Sequence, residues 1–442
     1  MKAAKIKIFV KTQLQRFWIA LQYFDTGGLA NHAAAGAFGF LFSAAPALLL
    51  AIFFFATAFR SSHETILELI RSIPFMEIAF DDNWLTNELH SFSRYGLSAV
   101  ISLLGLFWAG RIIAVSLHRG LKVIFTGEKK RKILTENLLV LLIETFVIIF
   151  ALLWILCSEI SIRFFEAFGN LPENFLSFFS KPHMLIIHIA ALWLISYSVF
   201  RITPANAPSR KSAFIGSVCT VIFYLLVSSA LEIIINHTRY NFLYGALGNL
   251  IILLLNVYFF FIFFFFGAQL AFVIDNFDAL LFSQFRQVRE IEKSRLAQNG
   301  RPARGGIRKK LFYHIEGKLE KYQCDYPAGK EIIIKGEQKK EIFYLIDGKV
   351  DIIIPAYGKL DSLVVSGLTS EFFGEMSHLL SENRTATVKA ATDVSVLVLP
   401  PELFEGILEC DPSLDRAIIE MLSERLKRSN EKISELTASN QS

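Results

Sequence analysis

The stretch that decides the fold is Tyr240–Phe272, YNFLYGALGNLIILLLNVYFFFIFFFFGAQLAF, which contains no charged residue. A helix needs about 20 predominantly apolar residues to cross the hydrocarbon core of a bilayer. Helices in globular proteins are usually shorter than this stretch and carry a polar face. The stretch therefore predicts a membrane-spanning helix.

The composition of the whole chain indicates two regions in two different solvents. Of the 442 residues, 53% are hydrophobic and only 19% are charged. Long apolar runs fill the chain up to about Asn276, and charged residues are crowded after that point. This pattern excludes a wholly soluble protein and predicts a membrane part followed by an aqueous part.

Six segments are long and apolar enough to predict an α-helical polytopic membrane bundle of six transmembrane helices. They are 33–57, 96–117, 137–158, 183–200, 212–235 and 246–274. Basic residues are concentrated before the first span and after the second, fourth and sixth. The positive-inside rule then places the N-terminus and the C-terminal region in the cytosol.

Residues 1–29 predict an interfacial amphipathic helix, because Phe9, Leu14 and Phe17 fall largely on one helical side and lysines accompany them. A solvated helix packed on the bundle is the alternative. The segment lacks a compact apolar core followed by a small-residue cleavage site, so a removable signal peptide is not expected.

Charged and polar residues within the spans are candidates for function, because a charge in the bilayer is costly. Arg111 in span two and Glu144 in span three lie at similar depth, so we expect them to pair. The pair either stabilises the packing of the two helices or belongs to a gate or a lipid-headgroup site. His188 in span four and Glu232 in span five form a second candidate pair near the outer side.

Three motifs carry a resemblance to a known membrane family. They are NHAAAGAFGFLFSAAPALLL (31–50), RITPANAPSRKSAFIGS (201–217) and the stretch Tyr240–Phe272. Together they resemble the YihY/BrkB family, formerly named ribonuclease BN, over about residues 10–275. The resemblance implies a transmembrane domain over 30–281 in a bacterial inner (cytoplasmic) membrane and a role in transport or another envelope-related or lipid-related process.

The sequence offers no support for nuclease activity or for a metal site. No His/Asp cluster has metal-ligand spacing. The four cysteines form no CxxC pair, since they stand far apart at Cys157, Cys219, Cys324 and Cys410. We therefore expect a non-enzymatic protein with no metal or cofactor and no nucleic acid partner.

The region after the last span has the composition of a charged linker, 282–310, followed by a small β domain, 311–442. Short β-branched runs alternate with glycine turns, a pattern that predicts an antiparallel barrel or jelly roll. The predicted strands are 331–335, 342–346, 350–355, 387–391 and 394–399. Two helices are predicted to follow, the second over about 412–436.

The segment Phe373–Thr387, FGEMSHLLSENRTAT, has the residue types that hold one phosphate. A glycine allows close backbone approach, a helical turn presents N–H groups, and an arginine pairs with phosphate oxygens. With its flanking residues over about 311–436, it resembles the phosphate-binding cassette of cyclic-nucleotide-binding domains.

That resemblance implies that Glu375 holds the ribose 2′-hydroxyl and that Arg384 holds the cyclic phosphate of cAMP or cGMP. Amides near Gly374 and at Thr385 and Ala386 complete the implied pocket, to which Phe373 and Met376 also belong. Asn383 departs from the proline often found before this arginine, and His378 replaces an apolar residue.

Two functions remain open at this point. In the first, cyclic nucleotide binding regulates transport or gating by the membrane bundle. In the second, the bundle is a membrane-anchored scaffold whose partner docking is controlled by the nucleotide. Expected partners are the cyclic nucleotide, the lipid bilayer, and either a second copy or an envelope protein.

Overall fold

The computed structural model describes residues 2–42, 97–125, 135, 138, 183–237, 240–299, 306–354, 363–368 and 372–439. The chain divides into two compact units. The helical unit is Ala20–Asp275, and the terminal unit combines Met1–Ile19 with Asn276–Ser442.

The helical unit contains long helices of mostly apolar residues. Helix α1 (Lys2–Thr26) begins in the terminal unit and ends in the helical unit, and an apolar helical stretch over Leu29–Phe42 follows it. The remaining described helices are α2 (Leu97–Ile124), α3 (His183–Ile202), α4 (Arg210–His237) and α5 (Tyr240–Asp275).

The described residues contain two segments that are long and apolar enough to cross a membrane. They are Arg210–Leu231 in α4 and Leu254–Asp275 in α5, which overlap predicted spans five and six. Predicted span four lies within helix α3, and α2 covers span two from Leu97 onward. Span three lies outside the described residues and span one lies partly outside them, so the number of six spans stays a prediction.

Helices α4 and α5 approach closely at a pair of glycines. A Cβ atom placed on Gly267 would lie 2.0 Å from the Thr220 side-chain oxygen and 2.5 Å from the Gly216 carbonyl oxygen. The Thr220 hydroxyl donates to the carbonyl oxygens of Gly216 (3.0 Å) and Phe263 (3.2 Å). Small residues therefore permit this backbone contact, as in other apolar helix pairs.

Replacing Gly267 with alanine is expected to destabilise the helical unit by about 1–3 kcal/mol, because the added methyl group overpacks this contact. Thermal unfolding of the detergent-solubilised protein, followed by size-exclusion chromatography, measures the loss. Gly306→Ala is the matched control, since a Cβ there meets no atom within 4 Å. Equal melting temperatures for the two variants would contradict the prediction.

The terminal unit is built on two four-stranded antiparallel sheets, with strand orders β1-β8-β3-β6 and β2-β7-β4-β5. The strands are β1 (Gln323–Tyr326), β2 (Glu331–Ile333), β3 (Ile342–Asp347), β4 (Val350–Ile354), β5 (Leu363–Leu368), β6 (Phe372–Phe373), β7 (Thr387–Ala390) and β8 (Val394–Leu399). The predicted antiparallel β architecture is confirmed.

Apolar side chains from both sheets form the core of this domain. Leu345, Val350 and Val396 are fully buried there. The turn between β3 and β4 requires glycine, because Gly348 has φ of 91° and a Cβ there would lie 2.4 Å from the Asp393 carbonyl oxygen.

Helices surround the sheets within the terminal unit. They are α6 (Phe277–Asn299), α7 (Ile307–Phe312), α8 (Glu375–Leu379), α9 (Pro401–Cys410) and α10 (Pro412–Ser439). Helix α6 covers much of the segment predicted as a charged linker, yet Phe282, Phe285 and Val288 are buried in it. Its apolar face is thus part of the core of this unit.

Candidate functional site

The candidate site begins at a glycine that links strand β6 to the short helix α8. Gly374 has φ of 80°, in the left-handed region. A Cβ there would lie 2.9 Å from both the Arg384 Nη1 and the Ile333 Cδ1 atoms. Phe373, the last residue of β6, stacks on Phe343 of β3 with the two ring centroids 5.1 Å apart. Glycine is therefore required both for the turn and for the close approach of Arg384.

Arg384 is the charged centre of the site. Its side chain is almost fully buried, at 3% exposure. Nη1 donates to the Gly374 carbonyl oxygen at 2.6 Å and to the Ser377 hydroxyl at 2.7 Å, and Nη2 donates to the Glu341 carbonyl oxygen at 2.7 Å. These bonds hold the guanidinium against the turn that follows β6.

The same guanidinium retains one unused donor. Arg384 Nε is buried and has no hydrogen-bond partner in the part of the chain that the structure describes. Burial lowers the pKa of Arg384, and three carboxylates oppose that effect, those of Glu341, Glu337 and Glu375. Because arginine stays protonated in proteins, the site keeps a buried positive charge.

Backbone hydrogen bonds fix the segment that carries Arg384. The Arg384 amide donates to the Glu337 carbonyl oxygen, and the Gly336 amide donates to the Arg384 carbonyl oxygen, both at 2.9 Å. The Lys335 amide also donates to the Thr387 hydroxyl at 3.2 Å. The turn after β2 thus positions the arginine at the start of β7.

The other predicted nucleotide-binding residues lie on the same two segments. Glu375 opens helix α8 and is 1% exposed, while Met376 is exposed on the next position. Thr385 is exposed and Ala386 is half-buried, directly after Arg384. Their roles toward a nucleotide stay predictions.

The pairing of a buried arginine with a nearby buried glutamate is suited to an anionic ligand that also carries hydroxyl groups. A guanidinium binds phosphate oxygens, and a carboxylate accepts hydrogen bonds from sugar hydroxyls. Within the described ranges, no group of three or more His, Cys, Asp or Glu side chains is placed to hold a metal ion.

The structure leaves the transmembrane polar candidates untested. Arg111 is exposed on α2. Glu144, its predicted partner, lies outside the described residues. His188 and Glu232 lie on α3 and α4, but their side chains are not among those described.

A chain of aromatic rings connects the site to helices α6 and α9. The ring centroid of Phe372, next to the cassette, lies 5.0 Å from that of Tyr344. It lies 5.9 Å from the ring centroids of Phe282 in α6 and of Phe404 in α9. The ring centroids of His378 in α8 and Phe404 are 5.8 Å apart. Packed aromatic rings therefore link the cassette to both helices.

A buried ion pair between Asp411 and Arg286 links the junction of α9 and α10 to α6. Asp411, between the two helices, accepts hydrogen bonds from Arg286 Nη2 at 3.2 Å and from the hydroxyls of Ser283 and Ser413. Burial raises the pKa of Asp411, but these hydrogen bonds outweigh it and hold the pKa below the usual value. Arg286 is one of the basic residues after predicted span six that the positive-inside rule counted, and it is 3% exposed.

Several residues that build the site were not among the predicted ones. Ser377 and Glu341 hold Arg384, and Phe343 supports Phe373. Only Ser377 had a local signal, since it lies within the cassette. The others are brought in by strand β3 and its preceding turn.

These features describe a unit of mostly apolar helices and a β domain whose cassette carries a buried arginine and a buried glutamate. The profile of the family described as Virulence factor BrkB matches residues 20–287. The chain therefore belongs to the BrkB family. A second profile, described as Cyclic nucleotide-binding domain, matches residues 323–411. A search among curated proteins returned no match.

Solved structures that this chain resembles include three bacterial proteins. The catabolite activator protein of Thermus thermophilus is 25% identical over 26% of this chain and 54% of its own, with a TM-score of 0.24. The c-di-GMP-responsive global regulator CLP of Xanthomonas campestris is 28% identical. The match covers 25% of this chain and 57% of that protein, with a TM-score of 0.24. A cAMP-binding acyltransferase from Mycobacterium smegmatis is 23% identical. The match covers 21% of this chain and 29% of that protein, with a TM-score of 0.20. This chain spans about half the length of the first two.

Proposed function

We propose that this protein is a non-enzymatic, multi-pass inner-membrane protein whose transport or gating activity is regulated by a cyclic nucleotide. The proposal combines a BrkB-family membrane region with a cyclic-nucleotide-binding domain on one chain. The membrane region forms the six predicted spans, with both ends in the cytosol. Its cargo is related to lipids or to the cell envelope.

The single observation that carries the proposal is the state of Arg384. Its guanidinium is buried and anchored by Gly374, Ser377 and Glu341, yet Nε has no hydrogen-bond partner among the described residues. A buried donor of this kind is costly unless a ligand completes it. The cyclic phosphate of cAMP or cGMP supplies that acceptor, and Glu375 accepts from the ribose 2′-hydroxyl.

The signal leaves the site through the packed elements of the terminal unit. Phe372 couples the cassette to Phe282 of α6, and Asp411 couples the α9–α10 junction to Arg286 of the same helix. Helix α6 begins two residues after α5 ends. A ligand at a hundredfold its dissociation constant supplies about 2.7 kcal/mol toward the state that it prefers. That free energy is enough to bias a two-state membrane region.

Hydrogen exchange of the α6 amides, measured in the full-length protein during titration with cAMP or cGMP, tests both parts of this proposal. The α8 amides, which lie within the cassette, are followed in the same titration. The midpoint of their change reports binding, and the amplitude of the change in α6 reports coupling. We expect slower or faster α6 exchange at saturation with at least one of the two nucleotides. Binding without a change in α6 would contradict regulation through this helix, and no binding of either would contradict the sensor.

Glu375→Gln is expected to raise the midpoint of that titration about tenfold to a hundredfold. A hydrogen bond to a charged group contributes about 1.5–3 kcal/mol, and the amide retains the shape without the charge. The amide oxygen can still accept a neutral hydrogen bond, so the variant should discriminate less strongly against the 2′-deoxy nucleotide than the unchanged protein does. Glu382→Gln is the matched control, because Glu382 is an exposed carboxylate of the same cassette. A 2′-hydroxyl preference in Glu375→Gln that is as strong as in the unchanged protein would remove Glu375 from this role.

A further inference from the structure

Helix α1 has one face that belongs to the terminal unit. Gln15 is 4% exposed, and its Nε2 donates to the Leu311 carbonyl oxygen at 2.7 Å. One turn earlier, Lys11 Nζ forms an ion pair with Glu316 at 2.6 Å. These contacts attach α1 to the segment that leads into the β domain.

The opposite face of α1 is apolar and exposed. Ile6, Val10, Leu14 and Phe17 are 62%, 49%, 53% and 44% exposed. Their spacing of four, four and three residues places them on one stripe of an α-helix. Phe9, at 64% exposure, lies beside this stripe. We call these five residues the α1 stripe.

The charges around the α1 stripe indicate which surface covers it. The first two turns of α1 carry Lys2, Lys5 and Lys7, of which Lys7 is exposed next to the stripe, and they carry no acidic residue. An apolar helical face bordered by lysines is typical of binding to a bilayer surface with anionic headgroups. The chain also continues from α1 directly into the apolar helical stretch Leu29–Phe42 of the BrkB-family region.

We propose that the α1 stripe binds the surface of a bilayer that contains anionic phospholipids. Its five apolar side chains enter the boundary between headgroups and acyl chains, and Lys7 contacts the headgroups. Because the other face of α1 is bonded to the terminal unit, this helix holds that unit at the lipid surface. The inference does not depend on nucleotide binding, since no residue of the candidate site takes part.

The depth of spin labels on α1 in the full-length protein tests this inference. The protein is placed in nanodiscs of phosphatidylcholine and phosphatidylglycerol after Cys157, Cys219 and Cys410 have been replaced by alanine. One sample is labelled at Leu14→Cys with Cys324 also replaced, and the matched control is labelled at native Cys324, which is exposed on β1. A single symmetric size-exclusion peak for both samples serves as the folding check.

The label at position 14 is expected to lie about 5–10 Å inside the headgroup boundary, with high accessibility to oxygen and low accessibility to an aqueous nickel reagent. The label at Cys324 is expected to be accessible to the aqueous reagent. In phosphatidylcholine alone, the position-14 label should move toward water. Aqueous accessibility at position 14 equal to that at Cys324 would overturn the proposal. Shielding of position 14 from both reagents would also overturn it, because protein, such as a second copy, then covers the stripe. Unchanged depth without anionic lipid would overturn the role of Lys7.

Discussion

Replacing Arg384 with alanine is expected to weaken cyclic nucleotide binding by the full-length protein about a hundredfold or more. The charge-assisted hydrogen bond from Nε to the phosphate, worth about 1.5–3 kcal/mol, is lost together with the buried positive charge. The variant also removes the donor that holds the Gly374 carbonyl oxygen and the Ser377 hydroxyl, so the turn before α8 is loosened. Calorimetric titration of the detergent-solubilised protein with cAMP and cGMP measures the loss.

Two further variants separate ligand binding from support of the fold. Arg384→Lys keeps the positive charge but cannot form the planar fork of hydrogen bonds, so we expect an intermediate loss. Arg416→Ala is the matched control, because Arg416 is 86% exposed and pairs only with Glu420 within its helix among the described residues. Binding by Arg384→Ala within about twofold of the unchanged protein would show that the phosphate is held elsewhere, since that ratio is only about 0.4 kcal/mol.

Replacing Arg286 with methionine is expected to destabilise the terminal unit by about 3–5 kcal/mol. The change leaves the Asp411 carboxylate buried without its cationic partner, and a lone buried charge is far more costly than a lost surface pair. Hydrogen exchange of the slowest β3 and β8 amides in the full-length protein measures this free energy. The same variant should reduce the nucleotide-dependent change in α6, because the α9–α10 junction is no longer fastened to that helix.

The double variant Arg286→Met with Asp411→Leu is the decisive control for the stability effect. Apolar side chains often replace a buried ion pair without loss of stability, so the double variant should recover part of the exchange protection. It does not recover all of it, because Asp411→Leu also removes the hydrogen bonds that Asp411 accepts from Ser283 and from the amide and hydroxyl of Ser413. Arg416→Met, which breaks the exposed pair with Glu420, should cost less than about 1 kcal/mol. Equal losses for Arg286→Met and Arg416→Met would show that the buried pair has no special role.

The accuracy of sequence interpretation differed between elements for physical reasons. Strands β3, β4 and β8 were predicted because each is a run of β-branched and apolar residues beside a turn. Strands β1, β5 and β6 were not predicted. Gln323–Tyr326 is mostly polar and Phe372–Phe373 is only two residues long, whereas Leu363–Leu368 was missed although it contains two adjacent valines. Such short pairings depend on their neighbours in the sheet.

Helix α6 shows how composition alone can mislead about the role of a segment. Its many charged residues favoured a linker, but three apolar side chains form one buried face and Arg286 is neutralised by Asp411, 125 residues later in the chain. No local pattern indicates that pairing, because it depends on how α6 and the α9–α10 junction are packed.

By itself, the sequence determined the apolar helices and the cassette from Phe373 to Thr387, since both are signals of short range: hydrophobic length in one case and residue types at close spacing in the other. Tertiary structure alone decided how that cassette is completed. Ser377 and Glu341 hold the Arg384 guanidinium, and Phe372 joins the cassette to α6. Contacts between distant segments arise from packing and register, which the order of residues in any one segment does not specify.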